Sequence, residues 1–175
     1  PSTIIANTFN SWNCGNIDIS TNQFTSLNGS TISSSTFSSG DAGNLTIDAL
    51  ESVEVIGIDP NSLQKSFFTS LTLNTGNGGN VIVNSQRVIV KDGGRIDAST
   101  IGSGAAGNIT INAAQKVELL GSIPEFLIPS QITSSANLAD KSIQQRFGFP
   151  PILNGESGTV TINTSQLNIA DGAVL

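Results

Sequence analysis

The chain has 175 residues, of which 11% are charged and 5% aromatic, with seven Lys plus Arg against thirteen Asp plus Glu. The resulting net charge of −6 argues against nucleic-acid binding, which needs a basic footprint, and the absence of His, Met and Tyr removes imidazole triads, His-ligated metal or haem sites and the usual proton shuttle. Ser (24), Thr (16), Asn (18) and Gly (18) fill 76 positions, so the surface is expected to be neutral and amide- or hydroxyl-coated, and no 18-residue apolar run is present to span a membrane.

Read along the chain, five segments repeat one pattern: WNCGNIDI (12–19), GDAGNLTI (40–47), GNGGNVIV (76–83), GAAGNITI (104–111) and GESGTVTI (155–162). Their key glycines are Gly15, Gly43, Gly79, Gly107 and Gly158, spaced by 28, 36, 28 and 51 residues. The base unit is therefore 28 residues, and the second and fourth units carry insertions, roughly 57–75 and 121–154. Units one and three align without gaps, Gly29 with Gly93 and Ile32 with Ile96, while units two and four share DALESVEVIG and NAAQKVELLG. The order alternates, A-B-A-B-A, over a single domain spanning 1–175.

Within each unit the apolar period is two. Ile17/Ile19, Leu45/Ile47, Val81/Val83, Ile109/Ile111 and Val160/Ile162 follow the key glycines, which describes a strand with one buried face. A second strand follows, for example Val53/Val55 and Val88/Val90, then an Asn-Gly or Asp-Gly turn, then a third strand through Ile32 or Ile96. Three short strands and three turns per unit, repeated in register, predict an all-β fold: a right-handed parallel β-helix of four to five coils, each strand pairing with its equivalent ~4.8 Å along the axis. A hairpin-built all-β fold would not place identical residues in columns every 28 positions.

The Asn column (Asn16, Asn44, Asn80, Asn108), interrupted by Thr159, is expected to form a structural amide ladder along the axis. Cys14 occupies a column of small residues and is expected to be packed there. Trp12 replaces a glycine and is expected to be a partial cap over the first coil. The insertions are expected to emerge as loops, which carry binding in many solenoids. The first holds Phe67 and Phe68. The second holds Phe126, Arg146, Phe147 and Phe149, and its Ala139, Ile143 and Phe147 at i, i+4, i+8 before Gly148 predict a short amphipathic helix. These six residues, Phe67, Phe68, Phe126, Arg146, Phe147 and Phe149, are the candidate contacts for a partner or glycan.

With the G-N-L-T-I-type strands, the V-E-V-I-G and V-E-L-L-G segments and the D-G-G-R-I-D-A-S-T-I-G-S-G-A-A-G run, residues 12–175 resemble the cyanobacterial filamentous-haemagglutinin-like exoproteins, passengers of two-partner secretion. The resemblance implies a long right-handed β-helix exported through an outer-membrane transporter to the surface or surroundings of a Gram-negative-type cell, with adhesion or surface structure as its role. It implies a piece of the repeat shaft, with further coils of the same β-helix or a second copy at its ends. No catalytic residue is carried over.

Catalysis on this fold requires carboxylates on neighbouring coils. Glu54 and Glu118 occupy equivalent columns two coils apart with apolar Ile89 between them. The charge cluster Arg87, Lys91, Asp92, Arg95 and Asp97 has no counterpart in the first unit and reads as a solvated face. The calcium-binding G-G-x-G-x-D repeat is absent, and the outward column Asp18, Thr46, Ile82, Thr110, Thr161 is too irregular for an ice-binding plane. The expectation is a non-enzymatic structural or adhesive segment with no cofactor and no metal, against two alternatives, a carbohydrate-active β-helix enzyme and an inert stalk.

Overall fold

The computed structural model describes residues 1–137, 141–147 and 155–175. The chain winds as a parallel β-helix. The strands, in order, are β1 (Thr3–Ile5), β2 (Ile17–Leu27), β3 (Thr31–Ser33), β4 (Leu45–Ile56), β5 (Phe67–Thr69), β6 (Val81–Lys91), β7 (Arg95–Asp97), β8 (Thr100–Ile101), β9 (Ile109–Leu120), β10 (Ser122–Ile123), β11 (Ile128–Pro129), β12 (Gln131–Thr133), β13 (Ala136–Asn137) and β14 (Val160–Ala170). Strands β2, β4, β6, β9 and β14 form one parallel sheet in chain order, and β1, β3, β5, β7 and β12 form the second. Each strand lies beside its counterpart in the next coil: Ile17 on Leu45, Leu45 on Val81, Val81 on Ile109, Ile109 on Val160.

The expected first and second strands of each coil are one continuous strand of 11 or 12 residues, bent at a register shift that recurs in every coil. The bulge swings the strand onto a new face without breaking the ladder, because an unpaired residue bends a strand locally. Inward side chains before and after the bend, Ile47 with Val53 and Val55, or Ile111 with Val117 and Leu119, meet Ile32, Phe68, Ile96 and Ile132 from the short sheet in one core. Period-two patterning with β-branched residues thus fills a narrow triangular interior, and burial of one strand face fixes the register.

Two boundaries differ from the sequence reading. Residues 1–14 add a rung below the first recognised unit, with Ile4 beside Ile32 and Thr8 beside Thr36. The insertions are also shorter and placed differently. Phe67–Thr69 and Gln131–Thr133 are regular rungs, paired with Thr31–Ser33 and Arg95–Asp97 respectively. The extra residues of unit two are 57–65, and those of unit four divide into 121–129 and a second stretch after Asn137. Spacing alone cannot show on which side of a short strand extra residues fall, whereas pairing decides it.

The segments 57–65 and 121–129 are the same device. Each opens on a glycine with positive φ (Gly57 78°, Gly121 76°) and carries a leucine in the left-handed region (Leu63 57°, Leu127 51°). Each closes with an antiparallel pair, Ile58 with Lys65 and Ser122 with Pro129. The serine that follows ties two coils together: Gly29 N–H donates to Ser66 Oγ (3.0 Å), which donates to Ile56 O (2.8 Å), and Gly93 N–H donates to Ser130 Oγ (3.0 Å), which donates to Leu120 O (2.7 Å). The predicted helix is present as α1, Lys141–Phe147.

The key glycines are required by contact between coils. A methyl group on Gly43, Gly79, Gly107 or Gly158 would collide with the carbonyl of the glycine one coil below, whereas Gly15, with no such neighbour, faces open space.

Candidate functional site

Several columns of outward polar residues bond one coil to the next. Asn44 N–H donates to Asn16 Oδ1 (2.9 Å), Asn80 N–H to Asn44 Oδ1 (2.8 Å), Asn108 N–H to Asn80 Oδ1 (2.8 Å) and Thr159 N–H to Asn108 Oδ1 (2.8 Å). This ladder exists, but each side chain accepts from a backbone amide and not from the next side chain. Thr159 therefore continues the ladder as a donor. A parallel series links Asn13, Asp41, Asn77 and Ala105 in the same way.

A side-chain-to-side-chain ladder does occur, founded on a carboxylate and continued by amides, at a column the sequence reading passed over. Asn84 Nδ2 donates to Asp48 Oδ1 (2.6 Å), Asn112 Nδ2 to Asn84 Oδ1 (2.7 Å) and Asn163 Nδ2 to Asn112 Oδ1 (2.8 Å). Its signal was present in the sequence: these residues stand five positions after successive key glycines.

The candidate site is the outer face of the short-strand sheet. Alternation along β3, β5 and β7 turns Ile32, Phe68 and Ile96 inward and leaves Thr31/Phe67/Arg95 and Ser33/Thr69/Asp97 as outward columns. The hairpin 57–65 folds along one side of this face, and Gln64 Nε2 donates to Thr31 Oγ1 (2.9 Å). Between hairpin and sheet lies a groove of about 360 Å³ lined by Gln64, Lys65, Phe67, Thr69, Leu71, Arg95 and Asp97. It runs into a second cavity of about 400 Å³ that shares Gln64, Phe67, Thr69 and Leu71 and extends to Phe37 and Leu73. Phe37 in turn stacks on Phe9, ring centroids 4.6 Å apart.

The charges of this groove are unequal. Arg95 Nη2 pairs with Asp97 Oδ1 at 3.1 Å. The same carboxylate oxygen accepts from Ser99 Oγ (2.5 Å) and Thr133 Oγ1 (3.2 Å), so Asp97 is held by its own coil and the next. Burial holds the Lys65 ammonium below the usual lysine range, with the Arg95 charge adding to this and Asp97 opposing it. Two cations and one carboxylate thus line this groove, in a protein with only seven cationic side chains. Thr69 is 4% exposed, and its Oγ1 and the Nε of Arg95 are buried without a hydrogen-bond partner.

Of the predicted contact residues, Phe67 lines this groove. Phe68 is corrected: it is 0% exposed and belongs to the core, where its ring meets Phe24 edge-on, because it is the inward residue of a regular strand and not part of a loop. Phe126 is exposed in the hairpin 121–129, and Arg146 is exposed on α1. Phe149 and the Phe147 side chain lie outside the described residues, as does the rest of the predicted helix stripe. The fold does not bring Phe126 to the groove formed around Phe67 by the earlier hairpin. Lys65 escaped the sequence reading because it comes from a different unit from Arg95.

The expected charge cluster is divided. Arg87 and Lys91 belong to the long strand β6, where Arg87 stands beside Lys116, while Arg95 and Asp97 belong to the short sheet. Glu54 and Glu118 flank Ile89 as expected, and Glu118 pairs with Lys116 at 2.8 Å. Trp12 is 76% exposed, not folded over the coil end. Cys14 is half-buried and accepts from Ser34 Oγ (3.4 Å). Among the described residues no group of three or more His, Cys, Asp and Glu is placed to hold a metal ion, and no helix is long and apolar enough to cross a membrane.

Comparison with protein-family models, curated proteins and solved structures gave no match to this chain.

Proposed function

We propose that the chain is a structural and adhesive segment of the shaft of a secreted, cell-surface β-helical protein of the filamentous-haemagglutinin-like kind. The observation that carries this reading is the axial ladder from Asn16 to Thr159, joined by the series from Asn13 and the amide column from Asp48 to Asn163. Outward polar side chains are spent on bonding one coil to the next, which makes a rod that grows by adding units. Such a rod holds its side grooves and hairpins at fixed spacing and works by presenting them. At its ends the apolar columns are open, with Ile4, in the column of Ile32, 47% and Leu175 52% exposed. In this reading they stack on further β-helix coils or on a second copy, and an outer-membrane transporter carries the protein out. Two carboxylates separated by an apolar rung, Glu54 and Glu118, give the carbohydrate-active alternative no acid–base pair on adjacent coils.

The test couples the purified chain to beads and measures their retention on immobilised polysaccharide films while assaying released reducing ends. Retention without release is the expected result. Release of reducing ends would replace this reading with the enzymatic one, and absence of retention on any film would reduce the protein to a spacer.

A further inference from the structure

The groove between the hairpin 57–65 and the short sheet is built as a binding site, and three independent features define its ligand. The first is charge. In a protein of net charge −6, Lys65 and Arg95 line one groove with a single carboxylate, Asp97, which is already engaged by Arg95, Ser99 and Thr133. The local excess is cationic, against the trend of the whole molecule.

The second feature is unmet hydrogen bonding. A buried polar atom left unpaired is costly, because its hydrogen bonds to water are lost without replacement. Two such atoms, Thr69 Oγ1 and Arg95 Nε, belong to residues lining this one groove. Thr69 Oγ1 can donate or accept, and Arg95 Nε can only donate. The third feature is a flat apolar surface, the Phe67 ring, continued by Leu71 and, in the adjoining cavity, by Phe37. A ring that carries C–H groups on one face and oxygen atoms around its edge satisfies all three at once.

We infer that this groove binds a carboxylated sugar, its carboxylate between Lys65 and Arg95, its hydroxyls on the Thr69 side and its C–H face on Phe67. This deepens the adhesive reading by naming the ligand class and the place where it binds, and it rests on that reading. The neighbouring coils lack the site. The column of Phe67 and Arg95 holds Thr3, Thr31 and Gln131 elsewhere, and the residue equivalent to Lys65 in the second hairpin is Pro129.

The column residues also supply two substitutions the fold already accepts, Phe67→Thr and Arg95→Gln, and Lys65→Gln removes the hairpin's charge at similar length. Calorimetric titration of the whole chain with hexagalacturonate at low salt is expected to show saturable binding, with little or none for maltohexaose. Lys65→Gln and Arg95→Gln should each weaken it about tenfold, the size of one charge-assisted hydrogen bond. Phe67→Thr should weaken it several-fold, and Lys116→Gln, on the other sheet, should leave it unchanged. Added salt should weaken binding. No saturable binding by the folded chain, equal binding of maltohexaose, or an equal loss with Lys116→Gln would overturn the assignment. If beads still adhere to polysaccharide films while hexagalacturonate fails to bind, the groove assignment falls and the adhesive reading stands. If the titration succeeds and beads do not adhere, the adhesive reading falls alone.

Discussion

At the residue scale, two residue types serve opposite ends of the same geometry. The key glycines let backbones of adjacent coils approach, and the asparagines beside them satisfy amides that the close approach leaves facing outward. Gly79→Ala is expected to destabilise the chain by more than about 3 kcal/mol, because the added methyl meets the Gly43 carbonyl with no room to yield. Gly15→Ala, with nothing within 4 Å of the added carbon, should cost little. Urea denaturation of the pair checks this, and equal midpoints would contradict the stacked-glycine account. Asn80→Ala removes the acceptor for the Asn108 amide and should cost about 1 kcal/mol by the same measurement. The glycine column was legible in the sequence because, from Gly43 onward, sterics tolerate no other residue there. The bonding pattern of the asparagines was only half legible, since amide-to-amide and amide-to-backbone ladders leave the same letters in the same column.

At the element scale, strand existence and inward-facing residues followed from period two, but the joining of two strands into one bent strand did not. A bulge leaves a one-residue phase slip that reads in sequence as a gap between strands. The hairpins were misplaced for a related reason: Phe67-Phe68 reads as loop hydrophobicity until pairing with Thr31–Ser33 and Arg95–Asp97 shows a rung. The groove was illegible for a stronger reason, since Lys65 and Arg95 are separated by slightly more than a full 28-residue coil of chain. Replacing 57–65 by an Asn-Gly turn, as in the coil below, should preserve the parallel sheets, because Ile56 and Ser66 then meet as Leu27 and Ser30 do. The circular dichroism spectrum should be unchanged. Loss of the Gln64–Thr31 bond and of the hairpin's cover over Gly29 should lower stability by about 1–2 kcal/mol. A chain that no longer folds would make the hairpin part of the core architecture.

At the scale of the whole molecule, the fold is a one-dimensional stack whose interior columns are sealed and whose end rungs are open. Val55 and Val90 are 0% exposed, yet Ile169 in the same column of the last long strand is 41% exposed. Burying such columns is worth about 25 cal/mol per Å², so end-to-end association should appear as a concentration-dependent sedimentation coefficient. Ile169→Lys should abolish it, and a monomer at every concentration would contradict the proposed stacking.

The claim on which everything else depends is that successive units stack in register, one strand spacing apart. Asp18, Thr46, Ile82, Thr110 and Thr161 form one outward column. Spin labels on Asp18→Cys and Thr161→Cys, in a Cys14→Ala background, are separated by four coil steps. Double electron–electron resonance is predicted to give one narrow distribution centred near 20 Å, four times the ~4.8 Å strand spacing. A broad distribution, or a single distance well beyond 30 Å, would contradict the stacked coil and with it the ladders, the groove and the proposed role.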